Sequence, residues 1–141
     1  PAPLGGSTHD LKNMSANSYL GALLWSSTVI DPETGEDAPA DRFGASSDLI
    51  DMTKRDWEAF CALLPEDFDP EEQIARMTEP GSDAWDYLAH DFALTRNHHG
   101  TGFWESGRWA EPWGDRLTAL AHQFPEISLY LSSNDGEVEA F

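Results

Sequence analysis

Apolar residues recur along the chain with helical period in some places and with strand period in one. Leu20, Leu23 and Leu24 follow Ser18-Tyr19 at i, i+3, i+4 and predict a short helix over 17–26, with a strand as the alternative. Behind Thr53, read as an N-cap, Trp57, Phe60, Cys61 and Leu64 form one stripe that Pro65 ends. Asp69-Pro70-Glu71-Glu72 reads as a second start, with Asp69 capping, Pro70 in the first turn and Glu72 closing a capping box. Pro80-Gly81 breaks that helix, and Ser82 caps a third whose face carries Trp85, Leu88 and Phe92. The helical pattern fades at Thr95-Arg96-Asn97, and a loop with Gly100 and Gly102 leads into a short strand at Phe103-Trp104. From Asp115, Leu117, Leu120, Ala121 and Phe124 restore the helix period up to Pro125.

Strand period appears after that proline. Ile127, Leu129 and Leu131 alternate with Ser128, Tyr130 and Ser132, and Asn134-Asp135-Gly136 is a hairpin turn into Glu137–Phe141. Asp31–Asp41, with Pro32, Gly35 and Pro39, reads as an exposed loop. The expected fold class is α+β: several short helices with a small, mainly antiparallel sheet in the C-terminal half. The expected organisation is one domain over 14–141. Residues 1–13 lack any apolar period and read as a vector-derived or disordered tail before Met14.

Composition adds charge to this outline. The 141 residues carry 26 Asp+Glu against 8 Lys+Arg, a formal −18. Six Trp and seven Phe make the chain too aromatic for a disordered acidic tail. Cys61 is the single cysteine, so no intrachain disulfide forms, and its place on an apolar stripe predicts a buried thiol. No apolar run nears the roughly 18 residues that a membrane span needs. No leader pattern is visible, and the expected location is the cytoplasm. Such a charge repels nucleic acid and anionic membrane and attracts basic surfaces. Direct nucleic-acid or membrane binding is therefore not expected. Oligomeric state leaves no trace in the sequence.

The most distinctive run is Asp91-Phe92-Ala93-Leu94-Thr95-Arg96-Asn97-His98-His99-Gly100-Thr101-Gly102-Phe103-Trp104. It resembles a motif of small acidic proteins encoded by bacteriophages and related mobile elements, Asp-Phe-Trp-Leu-Thr-Arg-Asn-Gly-His-Gly-Ala-Gly-Phe-Trp. Weaker likeness extends over Met14–Phe141, through Leu24-Trp25-Ser26-Ser27 and Asp135-Gly136. The chain departs at Ala93, His98 and Thr101, so the family's histidine matches His99. The resemblance implies a gene carried by a phage-like element in a bacterial host, and no particular activity.

Three chemistries compete. Asp31, Glu33, Glu36, Asp37 and Asp41 form one acidic group; Asp56, Glu58, Glu66, Asp67, Asp69, Glu71 and Glu72 form another, with no base among them. Carboxylates one helical turn apart sit roughly 5–6 Å from each other, on the scale of phosphates along a strand that rises about 3.4 Å per step. Such rows can fill the groove of a host protein that binds DNA or RNA, and the phage resemblance favours an inhibitor of that kind. Solubility or a salt-adapted surface is the other use of the same charge. Trp109 and Trp113, among Gly and Pro, are read either as an exposed aromatic contact within that interface or as a cap on the core beneath a long loop.

The second chemistry is the loop Arg96, Asn97, His99, Gly100 and Gly102. It is read either as an anion nest with a proton-moving histidine, which would make a small enzyme or phosphate-binding module, or as a structural turn. In the structural reading Arg96 pairs with a nearby carboxylate such as Asp91. The third is a structural or assembly protein of the phage. His90, Asp91, His98, His99 and His122 lack metal-ligand spacing, so neither a metal nor a cofactor is expected.

Overall fold

The structure is a computed structural model that describes residues 15–75, 84–99, 102–103 and 109–141. The expected tail, the Pro80-Gly81 break, the Ser82 cap, Gly100, Trp104 and most of the strand expected there lie outside the described residues.

Helix α1 runs Ala16–Trp25. Its buried face carries Ala16, Tyr19, Ala22 and Leu23, while Leu20 and Leu24 pack only at its margin. The inward face is thus turned from the leucine stripe toward Tyr19, because an aromatic ring fills more core than a leucine at the edge. Ser26 stops the helix by returning its hydroxyl to the Ala22 carbonyl at 2.7 Å. Strands β1 (Thr28–Ile30) and β2 (Asp37–Pro39) then form an antiparallel hairpin with Val29 opposite Ala38. Its turn places Gly35 at φ +74°, a left-handed conformation that glycine adopts without strain. The stretch expected as open loop therefore ends in a strand. Only Val29 and Ala38 of this hairpin face inward, too few to show alternation in the sequence.

A 3₁₀ turn, Ala40–Arg42, leads to α2 (Ser47–Leu63). The cap is Ser46, whose hydroxyl accepts from Leu49 N at 3.0 Å, and not Thr53. Thr53 is buried on the stripe Leu49-Thr53-Trp57-Phe60-Cys61, and its hydroxyl donates to the Ile50 carbonyl at 2.8 Å. A threonine that satisfies itself this way substitutes for an apolar residue, which hides the first two turns from a periodicity reading. Helix α3, Pro70–Ala75, begins with Asp69 accepting from Glu71 N at 3.0 Å.

Helix α4, Ala84–Arg96, is the centre of the molecule. Beyond the expected face, every residue from Asp91 to Arg96 is buried, so the C-terminal half of α4 is covered on all sides, while Asp86, Tyr87 and His90 nearer its start are half-buried. Helix α5, Trp113–Ala121, turns Gly114, Leu117 and Ala121 inward. Strands β3 (Leu129–Leu131) and β4 (Val138–Ala140) close the chain as the expected antiparallel hairpin. Val138 also bridges in parallel to Ala45, exchanging bonds with Gly44 and Ser46 just before α2. The fold is α+β, with one two-stranded hairpin in each half of the chain among the described residues.

Gly102 packs directly against α4. A Cβ there would sit 2.0 Å from Thr95 Oγ1 and 3.0 Å from Thr95 Cβ. Thr95 Oγ1 accepts from Phe103 N at 2.8 Å, so the 102–103 backbone cannot lift away without losing a buried bond. Gly102→Ala is expected to cost about 1–3 kcal/mol. Urea unfolding checks it, and a variant as stable as the parent would mean that the segment yields freely.

Candidate functional site

The C-terminal turn of α4 gathers the motif residues. Arg96 is 5 % exposed. Its Nε donates to the Pro125 carbonyl at 2.7 Å, and its Nη1 donates to Tyr19 Oη at 2.8 Å and to Asp56 Oδ2 at 2.5 Å. The guanidinium also lies 5.3 Å from the centre of the Phe124 ring. The partner carboxylate is thus Asp56 on α2 and not Asp91. Residues five apart on a helix point roughly 140° apart, so Asp91 faces elsewhere. Asp91 is buried and accepts from Trp109 Nε1 at 2.6 Å, with His90 Nδ1 at 3.1 Å from its other oxygen.

The residues after Arg96 stop the helix. His98 takes the left-handed conformation, φ +56°. His98 N donates to Thr95 O at 3.0 Å and His99 N to Leu94 O at 2.8 Å, the paired bonds of a Schellman stop. These backbone donors are directed into the helix end, and Gly100, on which the anion-nest reading turns, lies outside the described residues. Asn97 pins the incoming sheet: its side chain accepts from Ile127 N at 2.8 Å and donates to Ile127 O at 3.2 Å. The His98 ring stacks on His122 at 4.3 Å and lies 3.5 Å from Glu126, while the His99 side chain is exposed. Gly102 is the close-packing position described above.

Burial of Tyr19 pushes its phenol well above the ordinary value near 10; the Arg96 charge pulls it down and the Asp56 charge raises it, both less strongly. The folded state therefore holds this proton where the unfolded chain releases it. Tyr19 contributes stability that is complete below pH about 10 and is lost as pH rises above that, with a slope of up to about 1.4 kcal/mol per pH unit. Unfolding free energies from pH 9 to 11.5 should fall more steeply for the parent than for Tyr19→Phe. Parallel curves would remove the tyrosine from the alkaline response.

The acidic groups lie apart from this buried node. Glu33, Glu36, Asp37 and Asp41 are exposed around the β1–β2 hairpin, and half-buried Asp31 accepts from Glu33 N at 2.9 Å. Glu58, Glu66, Asp67, Asp69, Glu71 and Glu72 are exposed along and after α2, whereas Asp56 turns inward to Arg96. Among the described residues Asp91 is the only buried carboxylate. Trp109 takes the core-capping reading: it is 4 % exposed and packs on Phe68 and Phe103, with its indole N–H donated to Asp91. Trp113 is half-buried on Phe68, with Arg116 5.2 Å from its ring.

Among the described residues, the tryptophan that faces outward is Trp25, 58 % exposed at the end of α1. It stands on a groove of about 680 Å³ between α1 and α4, lined also by Ser18, Gly21, Ala22, Asp86, Tyr87 and His90. Sequence reasoning passed over it; its signal is the spacing Ser18-Gly21-Ala22-Trp25, a face of small residues ending in a large ring. Asp86 accepts from Ser15 Oγ at 2.9 Å and Ser18 Oγ at 2.7 Å, and the Trp25 ring lies 6.0 Å from that of His90. A smaller groove of about 420 Å³ runs between the two hairpins beside Ile30, Tyr130 and Phe141. Neither groove is lined by Arg96 or His99.

Among the described residues no three His, Cys, Asp or Glu side chains come together as a metal site, and no helix is long and apolar enough to cross a membrane. The chain matches no family model, no curated protein and no solved structure.

Proposed function

We propose that this chain is an acidic binding protein of phage type, which docks by charge onto a basic host protein that handles DNA or RNA and obstructs it. One observation carries the reading: charge is partitioned by depth. The fixed cation of the motif, Arg96, is turned inward and consumed by Asp56, Tyr19 and Pro125, while the carboxylates of 33–41 and 58–72 are left in solvent. A surface with a formal excess of eighteen negative charges speeds encounter with basic grooves and repels nucleic acid itself. The partition also weighs against an enzyme or phosphate-binding module built on Arg96, since its Nε and Nη1 are already committed to acceptors within the fold.

The test is affinity capture from a bacterial lysate, eluted by a salt gradient. The expected result is a stoichiometric nucleic-acid-binding protein, released as the Debye length falls from about 10 Å at 0.1 M salt toward 3 Å at 1 M and displaced by added duplex DNA. The triple variant Glu66→Lys, Asp67→Lys, Glu71→Lys changes only exposed side chains, and should weaken capture at least tenfold, given roughly 1.4 kcal/mol per decade. Capture that is indifferent to salt and to this reversal overturns the proposal.

A further inference from the structure

We infer that the outer faces of the two hairpins form a docking site for a segment of the basic partner that carries large apolar side chains between lysines or arginines. This rests on the charge-driven reading above and gives it a place of contact. Strands turn alternate side chains to opposite faces. Val29 and Ala38 of the first hairpin point to the core, as do Leu129 and Val138 of the second. The face turned to water is ordinarily polar in such a sheet. Here Ile30 is 63 % exposed on β1, and Tyr130 on β3 and Phe141 just past β4 are exposed as well. The Phe141 ring lies 4.8 Å from that of Tyr130, and its backbone N–H donates to the Ser128 carbonyl at 3.0 Å, which ties it to β3. The groove of about 420 Å³ between the hairpins has Ile30 on one bank and Tyr130 and Phe141 on the other. Among the described residues five large apolar side chains are exposed, and three of them meet on this groove. Single exposed apolar residues need no partner, whereas a cluster with a polar rim marks a contact surface.

The rim decides the occupant. Asp37 stands opposite Ile30 and Glu139 opposite Tyr130, and directly opposed side chains share a face. The stretches 27–41 and 127–141 hold five and three acids and no Lys or Arg between them. Charge of one sign around an apolar centre selects an occupant that brings apolar surface and the opposite charge together. A nucleic acid or an anionic membrane sets phosphates against these carboxylates. A second copy of the chain covers the apolar centre but sets one acidic rim against another. A charge alone leaves Ile30 and the two rings in water. An apolar side chain flanked by basic ones answers both features.

The probe is the peptide acetyl-Lys-Leu-Lys-Phe-Lys-amide, titrated into isotopically labelled protein by NMR. One control replaces Leu and Phe by Gly and keeps the charge; the other replaces each Lys by Glu and keeps the apolar side chains. The first peptide is expected to shift the amides of Ile30, Tyr130 and Phe141. The glycine control should bind several-fold more weakly, and the acidic control should leave those amides in place. The double variant Ile30→Thr, Tyr130→Thr keeps residues that suit a strand and is expected to weaken the first peptide about tenfold, given the apolar area it removes. Unchanged amide positions in the helices show that this variant is folded. Asp37→Lys alters one exposed side chain and should weaken the first peptide about 2–5-fold while letting the acidic control bind.

Three results overturn the docking site. Salt-sensitive binding of the first peptide and the glycine control with equal strength, untouched by the double variant, removes it and leaves the charge-driven reading standing. A dimer in sedimentation that the double variant abolishes makes the face a contact between copies instead. No binding of either basic peptide at about 20 mM salt, where screening is weak, removes both readings.

Discussion

Arg96→Met is expected to lower the unfolding free energy by about 3–5 kcal/mol, the cost of breaking a buried ion pair from one side. Methionine keeps the apolar stem against Phe124 but withdraws the donors. The Asp56 carboxylate, whose side chain is 23 % exposed, then loses its cation, and Tyr19 Oη and the Pro125 carbonyl each lose a donor. Partial exposure of Asp56 places the value toward the lower end. The double variant Arg96→Met, Asp56→Leu should be less damaged than Arg96→Met alone, because it removes the stranded charge as well. Urea titrations of the parent, the two single variants and the double variant measure the coupling. A single-variant loss under about 1 kcal/mol would mean that Arg96 is not a structural bolt, and would return it to the list of residues available for ligand chemistry.

That bolt explains why the most distinctive segment of the chain has so little exposed chemistry. Thr95 holds Phe103, Arg96 holds α1, α2 and the approach to β3, and Asn97 holds Ile127. A polar run this dense reads as a reactive loop because each side chain has functional precedent by type. Its partners are 8 to 77 residues away in the chain, and local pattern carries no trace of them. Arg96 and Asp56 illustrate the limit. The rarity of arginine in so acidic a chain argues for an internal clamp, yet only the turn of α4 decides that Asp56, and not Asp91, is the partner.

Other features were legible because they are local. The C-terminal hairpin follows from alternation and from a glycine that accepts φ +71°. Pro65 and the Asp69-Pro70 start are written in single residues. What escaped was set by tertiary packing: Thr53 as a core position, β2 inside an acidic stretch, and the places of Trp109 and Trp25. A tryptophan among glycines and prolines reads equally as an exposed contact or as a cap on the core, and the choice falls to the buried Asp91, which offers its indole N–H an acceptor at 2.6 Å. A tryptophan on an apolar helix was passed over, but the helix turns its other face to the core and leaves Trp25 on the groove.

Phe92→Ala is the second variant expected to come close to unfolding the protein, at a cost of about 3–5 kcal/mol. Phe92 is fully buried and sits where the helices converge. Its ring centre lies 4.0 Å from that of Phe60, 4.9 Å from Tyr19, 5.2 Å from Phe124 and 6.3 Å from Trp57. No neighbour can collapse into the vacated volume without breaking its own stacking, so most of the cavity persists. Total stability for a domain is about 5–15 kcal/mol, and mutual repulsion of the surface carboxylates opposes compaction further. The loss should therefore take most of what the fold has at low ionic strength. Added salt screens that repulsion and should raise the midpoint of the variant as well as that of the parent. Trp25→Ala, which removes a larger ring from an exposed position, should change stability by no more than about 0.5 kcal/mol. Thermal and urea unfolding of the two variants at 20 and 500 mM salt make the comparison. Equal losses would mean that the aromatic centre around α4 is not what holds the molecule together against its own charge.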